Sequence, residues 1–325
     1  MCTCIFAAMI VSDLKYLPSI RNTSSLVYGK SFYQLFAIMY KICILLQTIG
    51  KTISMNDKNS IAKWISYHRI CGESSFTIED LRTDFPDMNP PSISRSISRE
   101  IKKKNIMSPW KGFYVIVPTE YMLKGIVPQY LYIDKLMAYL KKNYYVSLLN
   151  AAQLHGASHQ LPMAFFVTIE SPALRDKINK RYVTHFVVRN SIPSKFVERR
   201  TVSTGWINYS SPELTAVDII TYRHNIGGLD RASTLLAELS ENLHFDKLDK
   251  DYSEIAPLAS FQRLGYILEV VLENKKVADD LYNLVMKSNE PKRYVPLKSN
   301  AGSKGYSTNK RWKIIENFKI EIDDV

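Results

Sequence analysis

The segment NPPSISRSISREIKKKNIMSPWKGFYVIVP runs from Asn89 to Pro118 and contains two kinds of pattern. Isoleucines recur every fourth residue at Ile93, Ile97 and Ile101, which predicts one apolar helix face over residues 92–103. Two prolines precede this face, at positions where the start of a helix tolerates them. A Trp-Lys-Gly turn then leads into a run of apolar and aromatic residues. The segment therefore predicts an amphipathic helix followed by a β-hairpin.

The predicted helix is basic on the face opposite its isoleucines. Six basic residues and one acidic residue lie between Asn89 and Lys111, whereas Glu73 to Asp87 carries five acidic residues and one arginine. The whole chain of 325 residues has a formal charge of +12. Positive charge concentrated on one helix favours a polyanionic partner, most often nucleic acid.

Two shorter helices are predicted upstream of this segment. Apolar residues at helical spacing occupy Asn59 to Ile70, and Thr77 to Phe85 begins with a capping box in which Asp80 stands three residues after Thr77. Three helices followed by a hairpin are the order of a winged helix-turn-helix, whose third helix enters the major groove of DNA. We therefore predict a DNA-binding domain over residues 55–118.

The predicted contacts to double-stranded DNA come from the third helix and from the hairpin turn. Small serines would let the backbone approach the groove, while arginines and lysines would reach bases or phosphates. The predicted DNA-binding residues are Ser92, Ser94, Arg95, Ser98, Arg99, Lys102, Lys103, Trp110 and Lys111. The alternative interpretation is a solvated basic helix on an unrelated surface.

The first 54 residues differ in composition from the rest of the chain. Residues 31–49 are apolar, but Lys41 lies in their middle, so we expect no membrane anchor. Met55 begins a sequence that reads like a natural protein start. We therefore expect residues 1–54 to be a misassigned or disordered extension.

Residues 119–130 follow Pro118, contain Gly125 and Pro128, and are predicted to be a linker. Residues 131–325 alternate helical patterns with β-branched and aromatic runs, which predicts a mixed α/β domain. Within it we predict a helix from Tyr145 to about His155, a hairpin turn at residues 203–205 and a closing strand over residues 311–322. Ser210 or Ser211 is expected to cap the helix that follows the hairpin. The fold class expected is thus a multidomain α+β protein. Cys71 is the one cysteine beyond residue 43, and a lone cysteine is typical of a protein of the reducing cytoplasm.

The sequence offers little catalytic chemistry, and no catalytic residue, metal or cofactor is predicted. His155 and His159 are four residues apart, but Gly156 is expected to end the helix between them. Glu213 and Asp218 are a conceivable carboxylate pair that helix capping and an ion pair explain better. Glu316 and Lys319 have a suggestive spacing, without a clear upstream aspartate.

Several motifs together resemble the AbiEi family of antitoxins. They are KGFYVIVP, YYVSLLNAAQLHGASHQ, STGWINYSSPELTAVDII, NIGGLDRASTLLAEL and NKRWKIIENFKIEID, which occur in this order between residues 111 and 323. The resemblance implies a winged-helix amino-terminal domain and a carboxy-terminal antitoxin domain that neutralises a nucleotidyltransferase-like toxin. It further implies a non-enzymatic protein of a type IV toxin–antitoxin, or abortive-infection, system of phage defence. Such an antitoxin represses its own operon through inverted repeats in the promoter.

Two other functions stay open at this stage. One is a winged-helix transcriptional repressor that responds to a small ligand. The other is a DNA-acting enzyme with a nuclease-like second domain, which would require acidic residues and a lysine to converge in one pocket.

Overall fold

The computed structural model describes residues 60–157, 162–179, 182–287, 291–299, 301–302 and 304–322. Residues 64–325 form one compact unit, and residues 60–63 are the described part of a second unit that comprises residues 1–63. The expectations for residues 1–54 and for His159 lie outside the described residues. The expected mixed α+β class is confirmed by the elements that follow.

The described chain begins with three helices and three short strands. They are α1 (Ile61–Ile70), β1 (Ser75–Thr77), α2 (Ile78–Asp84), α3 (Pro90–Lys102), β2 (Ile106–Trp110) and β3 (Phe113–Ile116). Strand β3 pairs antiparallel with both β1 and β2. The predicted capping box is confirmed at α2, because Thr77 Oγ1 accepts a hydrogen bond from Asp80 N (3.2 Å) while Asp80 Oδ2 accepts one from Thr77 N (2.7 Å).

A six-stranded sheet with two flanking helices forms the middle of the unit. Its elements are α4 (Ile133–Tyr139), β4 (Tyr144–Val146), α5 (Leu148–Leu154), β5 (Phe165–Glu170), β6 (Lys177–Asn179), β7 (Tyr182–Arg189), β8 (Val197–Val202) and β9 (Gly205–Ser210). The strand order is β6-β7-β5-β4-β9-β8, with β5 parallel to β7 and β4 parallel to β9. The predicted hairpin at residues 203–205 is confirmed, since Val202 pairs with Gly205.

Both faces of the central strands β4 and β5 are buried, which explains why these two strands read as largely apolar runs. Tyr144 and Val146 of β4 face one hydrophobic cluster, whereas Tyr145 between them faces the other. Phe165 and Phe166 of β5 alternate in the same way. Side chains of successive strand residues point to opposite faces, so one sheet divides two cores.

Helices dominate the carboxy-terminal part. They are α6 (Pro212–Thr221), α7 (Leu229–Leu239), α8 (Leu258–Tyr266) and α9 (Lys275–Leu281), and π-helical turns follow α8 and α9 at Ile267–Val271 and Tyr282–Met286. A small sheet of β10 (Val295–Pro296), β11 (Thr308–Asn309) and β12 (Ile314–Ile315) follows. Trp312 is fully buried in the helical core. Gly265 of α8 makes room for it, because a Cβ atom built there would lie 2.0 Å from the Trp312 ring.

The segment predicted to be a linker is packed against the rest of the protein in part. It contains 3₁₀ turns at Thr119–Tyr121 and Gln129–Leu131. Val127 is buried in the same cluster as Met107 and Val115 of the hairpin and Phe165 of β5. The hairpin and the large sheet therefore share one hydrophobic core, and the division of the chain into domains at residues 119–130 stays a prediction.

Two predicted elements differ from the structure. A helix was predicted from Tyr145, but residues 144–146 pair with β5 and the helix begins only after Ser147. Residues 311–322 were predicted to form a closing strand, yet only Ile314–Ile315 pair. Asn317 explains the difference, because its Nδ2 donates to the carbonyls of Lys298 and Gly302 (3.0 and 3.1 Å) and ties the chain to that loop.

Candidate nucleic-acid interface

Helix α3 begins with a side-chain cap that its sequence provides. Asn89 Oδ1 accepts a hydrogen bond from Ser92 N (2.9 Å), which satisfies a backbone donor that has no partner within the helix. Ile93 and Ile97 are buried, as predicted. The helix is therefore fixed by a cap at its amino end and by an apolar stripe on one side.

The inward stripe of α3 differs from the prediction in its last turn. Ile101 was expected on the core face, but its side chain is 38% exposed. At 100° per residue it lies about 80° from Ile93, and Glu100 takes the inward position instead. The Glu100 carboxylate accepts hydrogen bonds from Asn105 Nδ2 (2.7 Å) and Lys103 Nζ (2.9 Å). Burial opposes ionisation of Glu100, but these bonds and the nearby positive charges leave its pKa lowered.

The outward face of α3 is polar and positively charged. Arg95, Arg99 and Lys102 follow one another at helical spacing and are exposed. Within the described residues, none of the three forms an ion pair. At 1.5 Å per residue, the three side chains extend along about 10 Å of the helix. Ser94 and Ser98 are exposed between them, and the Ser98 hydroxyl donates to the Ser94 carbonyl (2.9 Å).

The other predicted DNA-binding residues at the ends of α3 have more contacts within the protein. Ser92 is half-buried beside the cap. Lys103 remains exposed at the carboxy-terminal end, although its ammonium group pairs with Glu100. Lys104, which follows it, donates to the Leu123 carbonyl (2.6 Å). Among the described residues, the cations of α3 that form no ion pair are thus Arg95, Arg99 and Lys102.

The hairpin turn between β2 and β3 is packed against two helices. The Gly112 carbonyl accepts a hydrogen bond from Ile78 N at the start of α2 (2.9 Å), and Tyr139 Oη of α4 donates to the Lys111 carbonyl (3.4 Å). Trp110 is half-buried, with Lys177 Nζ 3.9 Å from its ring centroid. Lys111 is exposed. The turn therefore presents Lys111 to solvent and directs Trp110 toward β6, and DNA contact by either residue stays a prediction.

A buried polar network joins the large sheet to α6. Asp218 is 1% exposed, and its carboxylate accepts hydrogen bonds from Tyr145 Oη (2.7 Å) and from Arg189 Nη1 (2.9 Å). Arg189 also donates to the Ile255 carbonyl. Burial raises the pKa of Asp218 to about 6, against the opposing effect of Arg189 and Tyr145. The ion pair expected for Asp218 is confirmed, but its partners could not be read from the sequence because they lie far away in the chain.

The remaining polar residues singled out in the sequence have structural contacts. Ser211 Oγ caps α6 by accepting from Leu214 N (3.2 Å) and donates to Glu213 (3.1 Å). His155 Nε2 lies 2.7 Å from the Ser210 carbonyl.

Glu316 and Lys319 are likewise engaged, and with different partners. The Glu316 carboxylate accepts hydrogen bonds from Tyr266 Oη (3.2 Å) and from the Ser307 hydroxyl, whereas Lys319 lies 3.8 Å from Glu321. Among the described residues, no group of three or more His, Cys, Asp or Glu side chains is arranged to hold a metal ion.

Comparison with protein families bears directly on the part of the chain that contains this network. Residues 145–270 match the family model of the AbiEi antitoxin C-terminal domain. The chain carries an AbiEi antitoxin C-terminal domain. This AbiEi domain extends from β4 to the π-helical turn after α8 and includes Tyr145, Arg189 and Asp218. The resemblance inferred from the sequence motifs is thereby confirmed, and an antitoxin of a toxin–antitoxin system is the role that the AbiEi domain supports.

The solved structures add a likeness of fold. The crystal structure of the RV2827C protein from Mycobacterium tuberculosis matches with a TM-score of 0.58 at 14% sequence identity, and the match covers 78% of this chain and 90% of that protein. The matched part of this chain is longer than residues 145–270, so the common fold extends beyond the AbiEi domain. No curated protein is significantly similar to the chain. In the part of the chain that the structure describes, no helix is long and apolar enough to cross a membrane.

Proposed function

We propose that this protein is the antitoxin of a type IV toxin–antitoxin system and that it represses its own operon by binding double-stranded DNA. The observation that carries the DNA-binding part is the exposed row of Arg95, Arg99 and Lys102 on a helix whose other side is buried. The AbiEi domain in the same chain supports the antitoxin part. The protein would act in the cytoplasm as part of an abortive-infection response to phage.

The order of the first elements supports a winged helix-turn-helix over the region from α1 to β3. Three helices precede a hairpin, and β1 between the first two helices pairs with the second hairpin strand. In this arrangement α3 is the recognition helix. We propose that Arg95 reads a base edge near the start of α3, that Arg99 extends this contact, and that Lys102 and Lys103 bind phosphates near its end. Lys111 at the hairpin turn would contact the backbone beside the groove.

The promoter inverted repeats implied by the family resemblance would present this helix with equivalent half-sites. The toxin would be a nucleotidyltransferase-like protein encoded beside this gene. Three ways of opposing it are compatible with the fold: direct binding, modification of the toxin, and competition for its substrate. The neutralising activity is assigned to the AbiEi domain rather than to α3.

The nuclease-like alternative requires acidic side chains that converge on one pocket. The buried carboxylates of the AbiEi domain instead hold the fold together, since Asp218 binds Arg189 and Glu213 Oε1 accepts from His244 N (3.0 Å). We therefore assign no catalytic role to this domain.

The test is operator binding across a salt series, measured beside rescue of cells from the toxin. Arg95→Ala should weaken operator binding by about 1 to 3 kcal/mol and relax specificity at one base pair. Lys102→Ala should weaken binding to all sequences alike and reduce the salt slope by about one. Arg231→Ala removes an exposed arginine from α7 and serves as the charge control.

All three variants should rescue cells from the toxin as the wild type does. Unchanged operator affinity in the double variant Arg95→Ala, Arg99→Ala, with an unchanged melting temperature, would exclude α3 from the DNA interface. Loss of rescue in the same variant would contradict the assignment of neutralisation to the AbiEi domain.

A further inference from the structure

A cavity of about 820 Å³ lies beside the six-stranded sheet. Its walls come from residues 121–131, from α5, and from the ends of β5, β8 and β9. Neither the proposed DNA contacts on α3 nor the Asp218 network lines it. Its volume falls in the range of small-molecule binding sites, which is roughly 300 to 1,000 Å³.

The walls of this cavity are rich in aromatic rings. Tyr121, Tyr130, Phe165 and Tyr182 come from three separate parts of the chain and line the same space. Tyr121 and Tyr130 interact with each other, which places these two side chains at one side of the cavity. Rings from several elements around one space favour a flat apolar ligand body, since aromatic pairs stack or meet edge to face.

One polar side chain of the cavity, Asn150, has a fixed orientation. Asn150 is 8% exposed, and its Oδ1 accepts from Phe166 N (2.7 Å), which fixes the orientation of the amide. Asn150 lines the cavity, and its Nδ2 is an amide donor with which a ligand acceptor can form a hydrogen bond.

Among the described residues that line the cavity, Arg200 carries the one positive charge, and there is no Asp or Glu. Arg200 is exposed, and its Nη1 donates to the Leu154 carbonyl (3.2 Å), which directs the guanidinium toward the end of α5. The other guanidinium N–H groups can bind an anion at the mouth of the cavity. Arginine matches planar carboxylates especially well, because it can donate two parallel hydrogen bonds.

We infer that this cavity binds a small, flat aromatic anion. The ring system would lie among the tyrosines, its carboxylate or equivalent group would bind Arg200, and an acceptor on the ring would bind Asn150. This site is additional to the antitoxin function, because neither the toxin nor DNA is needed to form it.

The experiment measures binding of two probes to the full-length protein by calorimetry. The probes are 2-naphthoate and its uncharged analogue 2-naphthamide, which have the same rings and differ in charge. Arg200→Gln removes the cation at the mouth. Arg199→Gln is the matched control, because the neighbouring residue on β8 faces the opposite side of the sheet.

Wild type should bind 2-naphthoate with a dissociation constant below the millimolar range. Arg200→Gln should weaken that binding about tenfold or more, as expected for a lost charge-assisted hydrogen bond, and should leave 2-naphthamide nearly unaffected. Arg199→Gln should leave both probes unaffected. Gln153→Trp places a large ring in the cavity from the half-buried side of α5 and should abolish binding of both probes.

Melting temperatures show that each variant is folded before its affinity is compared. Failure of folded wild type to bind either probe at millimolar concentration would overturn the inference. Equal effects of Arg199→Gln and Arg200→Gln would also overturn it, since a general surface attraction would then explain the anion binding. Undiminished binding by Gln153→Trp would place the probes elsewhere on the protein.

Discussion

The buried carboxylate of Asp218 provides a quantitative test of the core of the AbiEi domain. Burial raises its pKa from 3.8 to about 6, although Arg189 and Tyr145 both contact it. A folded-state pKa above the unfolded value means that folding favours the protonated form. The corresponding stability is fully present below pH 3.8 and is lost as the pH rises through about 6.

The magnitude follows from the difference between the two pKa values. At about 1.4 kcal/mol per pKa unit, the rise of Asp218 corresponds to about 3 kcal/mol, and about half of this is lost between pH 5 and pH 8. Neither Arg189 nor Tyr145 contributes in that range, because the pKa of each is raised above its ordinary, already alkaline value. The change in stability with pH is therefore assigned to the carboxyl group of Asp218.

The perturbation is Asp218→Asn, which keeps the size of the side chain and removes the ionisable group. Urea unfolding of wild type and variant is followed by circular dichroism at several values between pH 5 and pH 8. The unfolding free energy of the variant, minus that of wild type, should increase by roughly 1 to 2 kcal/mol as the pH rises from 5 to 8. Asp249→Asn is the control, because hydrogen bonding to Lys195 lowers the pKa of Asp249 and it should not titrate in this range.

A difference that stays constant from pH 5 to pH 8 would refute the reasoning, because it would show that Asp218 is ionised throughout this range. If attraction to Arg189 outweighed burial, the folded pKa of Asp218 would lie below 3.8, and the difference would likewise stay constant above pH 5. The control should follow wild type in parallel at every pH.

Three further predictions concern packing, helix capping and DNA binding. Gly265→Ala should destabilise the protein by about 3 kcal/mol or more in urea unfolding, because the added Cβ would overlap the buried Trp312 ring. Gly302→Ala is the control: open space surrounds this glycine, so its stability should change by less than about 1 kcal/mol. Thr77→Ala should cost about 1 kcal/mol in the same assay, since it removes the side-chain acceptor that caps α2; a loss below about 0.3 kcal/mol would contradict the capping role. Relative to wild type, the double variant Arg95→Ala, Arg99→Ala should lose more operator affinity at low salt than at high salt. An equal loss at all salt concentrations would argue against an electrostatic contact.

Local sequence patterns were sufficient to predict a contact where the contacting residues are close together along the chain. The capping box at Thr77, the buried Ile93 and Ile97, the hairpin at residues 203–205 and the Ser211 cap all depend on residues a few positions apart. Helix and turn geometry fix such contacts, so spacing alone predicts them. The AbiEi resemblance was likewise readable, because several motifs occur in one order.

Contacts between distant residues could not be read in this way. The Asp218 network joins strands β4 and β7 to α6, and Gly265 meets Trp312 only because the carboxy-terminal segment folds back on α8. The predicted helix wrongly included Tyr145 and Val146, because this tyrosine-rich run acquires its strand geometry only from pairing with β5. Such arrangements depend on which surfaces are buried together, a property of the folded chain rather than of any window of sequence. The same reason explains why the isoleucine spacing wrongly placed Ile101 on the core face, whereas in the folded protein Glu100 is buried there and accepts a hydrogen bond from Asn105.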